Sequence, residues 1–143
     1  MFKVSIKGVL TAPDGRVVLL QNERDEWELP GGQIELGETP AECLAREIKE
    51  ELCLQVEVGQ LLDTYLFEVT PGRHVFIVTY GCALTGPFDP RASHEHKRIG
   101  LFSHDRLPAN LPAGYEASIA YAIRNSNCSP QSAALPTAGD AQS

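Results

Sequence analysis

A glycine turn followed by a dense group of carboxylates constrains this chain more than any other feature. The turn is Leu29-Pro30-Gly31-Gly32. Residues 35–51 then hold six acidic and two basic side chains, so they contribute −4 of the formal net charge of −7. Close carboxylates repel one another unless a cation binds among them, and their oxygens suit a hard divalent cation such as Mg²⁺. The segment therefore predicts a metal site that serves a phosphate-bearing substrate.

Capping signals place a helix directly after this turn. Thr39 is a good N-cap, Pro40 suits the first helical position, and Glu42 can reach back to the N-cap backbone. The helix is therefore predicted from this cap to about Leu52. Its apolar residues recur at helical spacing and form one stripe that can pack on a core, namely Ala41, Leu44, Ala45, Ile48 and Leu52.

Three glutamates share a different face of the predicted helix. Glu47, Glu50 and Glu51 stand at i, i+3 and i+4, where like charges repel by roughly a few tenths of a kcal/mol per pair. Alone, this pattern also fits an ordinary solvated helix face. The surroundings favour a site, because glycines let the backbone approach a ligand closely. Arg46 can also reach Glu38 or Glu50 and hold a carboxylate in a fixed orientation.

Residues 32–54 resemble the Nudix box, the signature of the Nudix hydrolases. The family pattern is glycine, five residues, glutamate, seven residues, Arg-Glu, an aliphatic residue, any residue, Glu-Glu, any residue, glycine and an aliphatic residue. Every fixed position matches except one, because Cys53 stands where the family has glycine. That glycine normally ends the helix in a left-handed turn, so Cys53 implies either strain or a different helix exit.

The resemblance implies a metal-dependent hydrolase. The implied metal ligands are the carboxylates of Glu47, Glu50 and Glu51 and the backbone carbonyl of Gly31. Glu38 and Arg46 would form a supporting ion pair. A carboxylate-held Mg²⁺, or Mn²⁺ in its place, can clamp a pyrophosphate, and a carboxylate not fully used by the metal can take the proton of the attacking water. Glu50 is predicted to act both as a metal ligand and as a catalytic residue. The reaction would convert a nucleoside diphosphate linked to a group X into a nucleoside monophosphate and phosphorylated X.

A further carboxylate is expected from a loop well past the box, because many Nudix proteins use one as base or extra ligand. Glu95, just before a predicted strand, is the chosen candidate, and an exposed turn residue is the equal alternative. Asp89 and Glu68 are weaker substitutes. His94 and His96 invite a metal-binding role as well, although two histidines in a polar loop are more often solvated.

Substrate choice lies outside the box. Trp27 either stacks on a base or packs against the fold, and packing is the favoured alternative. Pro71 lies one residue off the register of a proline found in some ADP-ribose hydrolases of the family, and a hairpin turn explains Pro71-Gly72 equally well. We expect an ADP-ribose-like or NTP-like substrate. Two other classes stay open: a non-catalytic Nudix module that binds a nucleotide or nucleotide sugar, and an acidic interaction domain without metal.

The predicted elements follow the order strands, helix, strands, helix. Strands are predicted at residues 4–10, 17–20, 56–69, 74–84 and 96–102, with a second helix at 113–125. The first strand is predicted to be half-buried, because Lys3, Ser5 and Lys7 alternate with apolar residues, and 22–28 is predicted to be a polar loop. The fold class is α+β, with a mixed β-sheet sandwiched between helices. The resemblance implies the Nudix fold, which has this α/β/α arrangement.

Composition limits the remaining possibilities. Residues 1–125 are expected to form one domain, and 126–143 a disordered C-terminal tail because they lack bulky apolar residues. No C-x-x-C pair or apolar leader is present, so the cysteines are expected to be reduced thiols in a cytoplasmic protein that binds no membrane. The absence of a basic stripe argues against general nucleic-acid binding. The expected partner is a small-molecule nucleotide, and a homodimer is compatible with the family.

Overall fold

The computed structural model describes residues 2–93 and 98–134, with side chains described up to residue 126. In chain order its elements are β1 (Lys3–Val9), β2 (Val17–Gln21), β3 (Trp27–Glu28), β4 (Gly31–Gln33), α1 (Pro40–Leu52), β5 (Val56–Thr70), β6 (Arg73–Leu84), β7 (Arg98–Phe102) and α2 (Ala113–Ala134). Neither α1 nor α2, over the residues described, is long and apolar enough to cross a membrane.

The strands divide between two sheets. The larger sheet has the order β4-β1-β6-β5, in which β1 is parallel to β6 while the other pairs are antiparallel. The smaller sheet is antiparallel and has the order β3-β2-β7. The predicted α+β class with a mixed sheet and two helices is confirmed, and the structure adds the second sheet.

Each helix packs over its own hydrophobic cluster. The first cluster joins Ile6 of β1 to the buried face of α1, which includes Leu44 and Ile48. The second cluster joins Val9 of β1 to α2, which contributes Ile119. Because successive residues of a strand point to opposite sides, β1 is covered on both of its faces.

The prediction that the first strand is half-buried is therefore wrong. Ser5 and Lys7 are only 9% and 8% exposed. The strand lies between β4 and β6 in the sheet, and α2 covers the face that a two-layer arrangement would leave to solvent. The alternation of polar and apolar residues identifies the apolar face of a strand. It does not show whether another element packs on the polar face.

Two further boundaries differ from the predictions. The predicted loop at residues 22–28 contains the short strand β3, and the predicted turn at 29–32 contains the start of β4. The second helix continues past its predicted end at Asn125 to Ala134. Composition does not explain this extension, because Pro130 lies within it and lacks the N–H that an interior helical hydrogen bond requires. The disordered C-terminal tail stays a prediction, and residues 135–143 lie outside the described residues. His96, the predicted start of the last strand, lies outside the described residues.

Three cysteines whose side chains are described are free thiols, as predicted: Cys43, Cys53 and Cys82. Burial is the main reason that the pKa of Cys43 rises to about 11 and that of Cys82 to about 12. These two thiols are therefore unreactive at neutral pH, because the thiolate is the reactive form.

Candidate active site

Helix α1 begins and ends as its local sequence dictates. The Glu42 N–H donates to the Thr39 hydroxyl at 3.1 Å, and the Thr39 N–H donates to the Glu42 carboxylate at 2.9 Å, which completes the predicted capping box. At the other end Cys53 has φ 58° and ψ 32°, and its N–H donates to the Lys49 carbonyl at 3.0 Å. Cys53 therefore makes the left-handed exit that glycine would make, at a cost of roughly 1–2 kcal/mol.

Arg46 is the centre of a carboxylate network that joins α1 to the loop before it. Its guanidinium donates to Glu38 at 3.1 Å, to Glu47 at 3.0 Å and to Glu50 at 3.3 Å. A second bond, from Nε, makes the pair with Glu38 bidentate. The hydrogen bond from Arg46 is the main cause of the lowered pKa of Glu38. The structure thus brings together both pairings expected of Arg46 and adds Glu47 to them.

Glu51 lies apart from this network. Its side chain is 8% exposed, and its Oε1 accepts the Gly31 N–H at 3.0 Å. Burial raises the pKa of Glu51 to about 7, although nearby Lys7 and the Gly31 hydrogen bond oppose that rise. The three glutamates have different hydrogen-bond partners: Arg46 binds Glu47 and Glu50, and the Gly31 N–H binds Glu51. Glu47 still lies near Glu51, because its charge contributes to the raised pKa of Glu51.

The two glycines of the turn are each required by a close approach. Gly31 has φ 137°, and a Cβ there would lie 2.0 Å from the Ile6 carbonyl oxygen. A Cβ on Gly32 would lie 2.5 Å from the carboxyl carbon of Glu47. The backbone at Gly32 is thus the surface against which the Glu47 carboxylate rests, and any side chain there would displace it.

The donors around this turn have the chemistry that a hard divalent cation requires, because they are carboxylate and carbonyl oxygens. Over residues 2–93 and 98–134, however, no three acidic, histidine or cysteine side chains are grouped closely enough to hold a metal ion. Arg46 holds Glu47 and Glu50, while the Gly31 peptide holds Glu51. The donors are oxygens, which is the kind of ligand that Mg²⁺ binds, but protein contacts hold them in their present arrangement. The roles of Gly31 and the three glutamates as metal ligands therefore stay predictions.

Two residues of the site were missed in the sequence. The Lys7 ammonium lies 3.5 Å from the Gly31 carbonyl oxygen and 3.5 Å from the Glu28 carboxylate. Burial lowers the pKa of Lys7, and nearby Tyr115, Glu28 and Glu51 raise it by more, so Lys7 stays charged. The alternation of polar and apolar residues predicts Lys7 on the polar face of its strand, and residues 22–28, which include Glu28, are predicted to be a loop. The residues next to Lys7 and Glu28 in the sequence do not indicate these contacts, because the contacts join different strands, β1, β3 and β4.

The remaining candidates do not join this group. Glu95, the predicted base or extra ligand, lies outside the described residues, as do His94 and His96, so its role stays a prediction. The weaker substitutes have partners elsewhere at the surface: Glu68 accepts the Gly72 N–H at the hairpin turn, and Asp89 pairs with Arg91.

Trp27 packs against the fold, which is the favoured one of its two predicted roles. Its ring meets the edge of Phe102 with the centroids 5.0 Å apart, and Arg98 lies 5.7 Å from its centroid. A Cβ on Gly100 would lie 2.7 Å from the ring. Trp27 is thus partly buried and packs against β7 through Phe102, Arg98 and Gly100.

A cavity of about 700 Å³ lies elsewhere, between α2 and the large sheet. Its lining includes Val9, Gly81 and Ala122 but no residue of 32–54. The cavity is therefore separate from the acidic helix and the glycine turn.

The NUDIX domain family matches residues 1–123, and the chain belongs to this family. The family match, together with its pyrophosphatase and pyrophosphohydrolase relatives, shows that the chain is a hydrolase that acts on pyrophosphate bonds. It is 31% identical over 116 residues to a MutT-like protein of Streptomyces ambofaciens, covering 80% of this chain and 73% of that protein. It is 30% identical over 115 residues to the putative ADP-ribose pyrophosphatase YjhB of Bacillus subtilis, covering 77% of this chain but only 54% of that protein.

A solved structure shows the same fold. The MutT NUDIX hydrolase from Burkholderia pseudomallei superposes with a TM-score of 0.74 at 26% identity, covering 85% of this chain and 98% of that one. The family assignment and the fold class expected from the box are thereby confirmed.

Proposed function

We propose that the protein is a Mg²⁺-dependent hydrolase that cleaves the pyrophosphate linkage of a nucleoside diphosphate joined to a group X. The observation that carries the proposal is the Arg46 network, which gathers Glu38, Glu47 and Glu50 beside the glycine turn. An ADP-ribose-like substrate is favoured by the name of the Bacillus relative, and an NTP-like substrate is the other candidate. Mn²⁺ would serve in place of Mg²⁺.

The proposed division of labour follows from how each side chain is held. Glu47, Glu50, Glu51 and the Gly31 carbonyl would bind the cation, which would neutralise phosphate charge as the bridging P–O bond breaks. Arg46 orients Glu47 and Glu50, and Glu38 holds Arg46 through its bidentate pair. These contacts keep the carboxylates in place before substrate arrives, which lowers the cost of assembling the reacting groups.

Water supplies the new P–O bond in this reaction. Its oxygen adds to one phosphorus, the bond from that phosphorus to the bridging oxygen breaks, and the proton passes to a carboxylate. Glu50 is suited to receive the proton because its side chain is 60% exposed and only its Oε1 is engaged by Arg46. Glu95 is the alternative base. The products are a nucleoside monophosphate and phosphorylated X.

A hydrolysis screen tests the proposal. Purified protein is incubated with NTPs, ADP-ribose, NADH and dinucleoside polyphosphates in Mg²⁺, in Mn²⁺ or in EDTA, and the products are separated by anion exchange. We expect a monophosphate only where a divalent ion is present. Glu50→Gln and Glu51→Gln should lower kcat by at least about a hundredfold, as loss of a catalytic carboxylate does. Glu116→Gln, an exposed helix glutamate outside the site, is the matched control and should keep wild-type turnover.

Three results would contradict parts of this proposal. Nucleotide binding by calorimetry without any product would identify a non-catalytic module. Full turnover by Glu51→Gln would remove that carboxylate from the metal site. For Glu95, a pH–rate profile of Glu95→Gln that matches wild type at full activity would exclude it as the base.

The cellular context of the enzyme is also part of the proposal. We place it in the cytoplasm, acting on small nucleotides and not on nucleic acid in general, and homodimer formation is compatible with this function. Light scattering of the purified protein measures its mass against the 15.6 kDa of one chain.

A further inference from the structure

Lys7 is a buried cation at the glycine turn that the Nudix box does not include. It is 8% exposed and stands on β1 directly opposite Gly31 of β4. Its ammonium lies 3.5 Å from both the Gly31 carbonyl and the Glu28 carboxylate, which is itself only 25% exposed. A buried charge is costly unless it is paired, so these partners are what keep Lys7 in place.

Both the N–H and the carbonyl of Gly31 have a side-chain partner. Its N–H donates to Glu51 at 3.0 Å, and its carbonyl faces the Lys7 ammonium at 3.5 Å. Gly31 also has φ 137°, a conformation open almost only to glycine, and it packs on the Ile6 carbonyl. Gly31 therefore connects Lys7 to the carboxylate of Glu51 through its two backbone groups.

We infer that Lys7 is a positioning residue of the active site, with Glu28 as its counter-ion. Lys7 fixes the orientation of the Gly31 carbonyl, and the Gly31 N–H in turn fixes Glu51. This role rests on the proposed function in so far as Gly31 and Glu51 are the oxygen donors for the divalent ion. Lys7 acts through these groups and is not assigned a contact with substrate.

The positioning role and a bystander role predict opposite effects on metal binding. If Lys7 were only a nearby positive charge, removing it would relieve repulsion and tighten binding of a divalent ion. If Lys7 positions the donors, removing it leaves them less ordered and weakens binding, as loss of supporting contacts around metal ligands does, by about 10–100-fold in affinity. The sign of the change therefore decides between the two roles.

The first measurement needs no metal and no substrate. Amide hydrogen exchange of ¹⁵N-labelled wild type and Lys7→Met is followed by NMR in EDTA. We expect the Gly31 amide to exchange at least tenfold faster in Lys7→Met, while the Val18 amide, bonded to the Leu10 carbonyl at 2.9 Å in the core, keeps its rate. The matched control is Lys3→Met, an exposed lysine on the same strand, which should leave both rates unchanged.

The second measurement titrates Mn²⁺ into the same proteins and follows the signal of the free ion by electron paramagnetic resonance. Lys7→Met should raise the Mn²⁺ dissociation constant at least fivefold and lower kcat more than it changes KM. Tighter or unchanged Mn²⁺ binding, or equal acceleration of the Gly31 and Val18 amides, would overturn the inference. A wild-type protein that hydrolyses no nucleotide would refute the proposed function, whereas the amide exchange would still report on Lys7.

Glu28→Gln provides the second route if Lys7→Met does not fold. This variant keeps the size of the side chain and removes the charge that faces the ammonium. Selective acceleration of the Gly31 amide by at least threefold is the expected result. An unchanged Gly31 rate in folded Glu28→Gln would remove Glu28 as the counter-ion and with it the inference.

Discussion

Replacing Glu51 by glutamine should alter how the stability of the metal-free protein depends on pH. Burial raises the pKa of Glu51 from its ordinary value of 4.5 to about 7, so the folded state binds this proton more tightly than the unfolded state. The resulting stability is fully present below pH 4.5 and is lost as the pH rises through 7. The loss amounts to about 3 kcal/mol, because a tenfold change in proton affinity is worth about 1.4 kcal/mol.

Glutamine carries no charge in this range and keeps an oxygen that can accept the Gly31 N–H. Glu51→Gln should therefore match wild type near pH 4.5 and exceed its free energy of unfolding by about 2–3 kcal/mol at pH 8. Taking the difference between the two proteins cancels the titration of every other group that the substitution leaves unchanged. The same variant should lose turnover, so stability and activity would move in opposite directions at one carboxylate.

Urea unfolding in EDTA at several pH values measures this difference. The single tryptophan, Trp27, packs against Phe102 and reports unfolding by its fluorescence. Glu50→Gln is the control, since its side chain is 60% exposed, and it should change the free energy of unfolding by no more than about 0.5 kcal/mol. A Glu51→Gln difference that is the same at pH 4.5 and pH 8, or that grows toward acid, would refute the reasoning.

Three other substitutions have defined outcomes. Gly32→Ala places a Cβ 2.5 Å from the Glu47 carboxyl carbon, at the mobile end of a side chain, so kcat should fall at least tenfold while the melting temperature stays within about 2 °C. Thr39→Ala removes the capping box and should cost about 1 kcal/mol in urea unfolding, whereas Thr39→Ser should keep most of it. Tyr65→Phe removes a buried hydroxyl that has no hydrogen-bond partner among the described residues, so stability should be equal or up to about 1 kcal/mol higher. A clear loss of stability in Tyr65→Phe would show that the hydroxyl is satisfied in solution.

The acidic helix could be predicted because its determinants are local. Thr39 and Glu42 lie three residues apart and satisfy each other, and the spacing of Leu44, Ile48 and Leu52 sets the buried face. The partners of Arg46 also lie within one short stretch of chain. In each case the interaction depends on helical periodicity, which the sequence shows directly.

The other half of the site depends on which strands become neighbours. Lys7 meets Glu28 across 21 residues of sequence and Gly31 across 24. Glu28 belongs to β3 of the smaller sheet, whereas Gly31 is brought to Lys7 by the pairing of β1 with β4. The direction of Glu51 depends on the same pairing, because its acceptor role requires the Gly31 N–H to face α1. Helical spacing predicts that Glu51 shares a face with Glu47 and Glu50, but it does not predict the Gly31 N–H as the partner of Glu51.

Replacing Cys53 by glycine should make the protein more stable. The left-handed conformation costs a cysteine roughly 1–2 kcal/mol, while glycine there would lose only about 0.5–1 kcal/mol through its freer unfolded chain. One base change converts a cysteine codon to a glycine codon. Cys53→Gly should therefore raise the free energy of unfolding modestly. Cys53 lies at the C-terminal end of α1, is exposed to solvent and holds none of the acidic side chains in place.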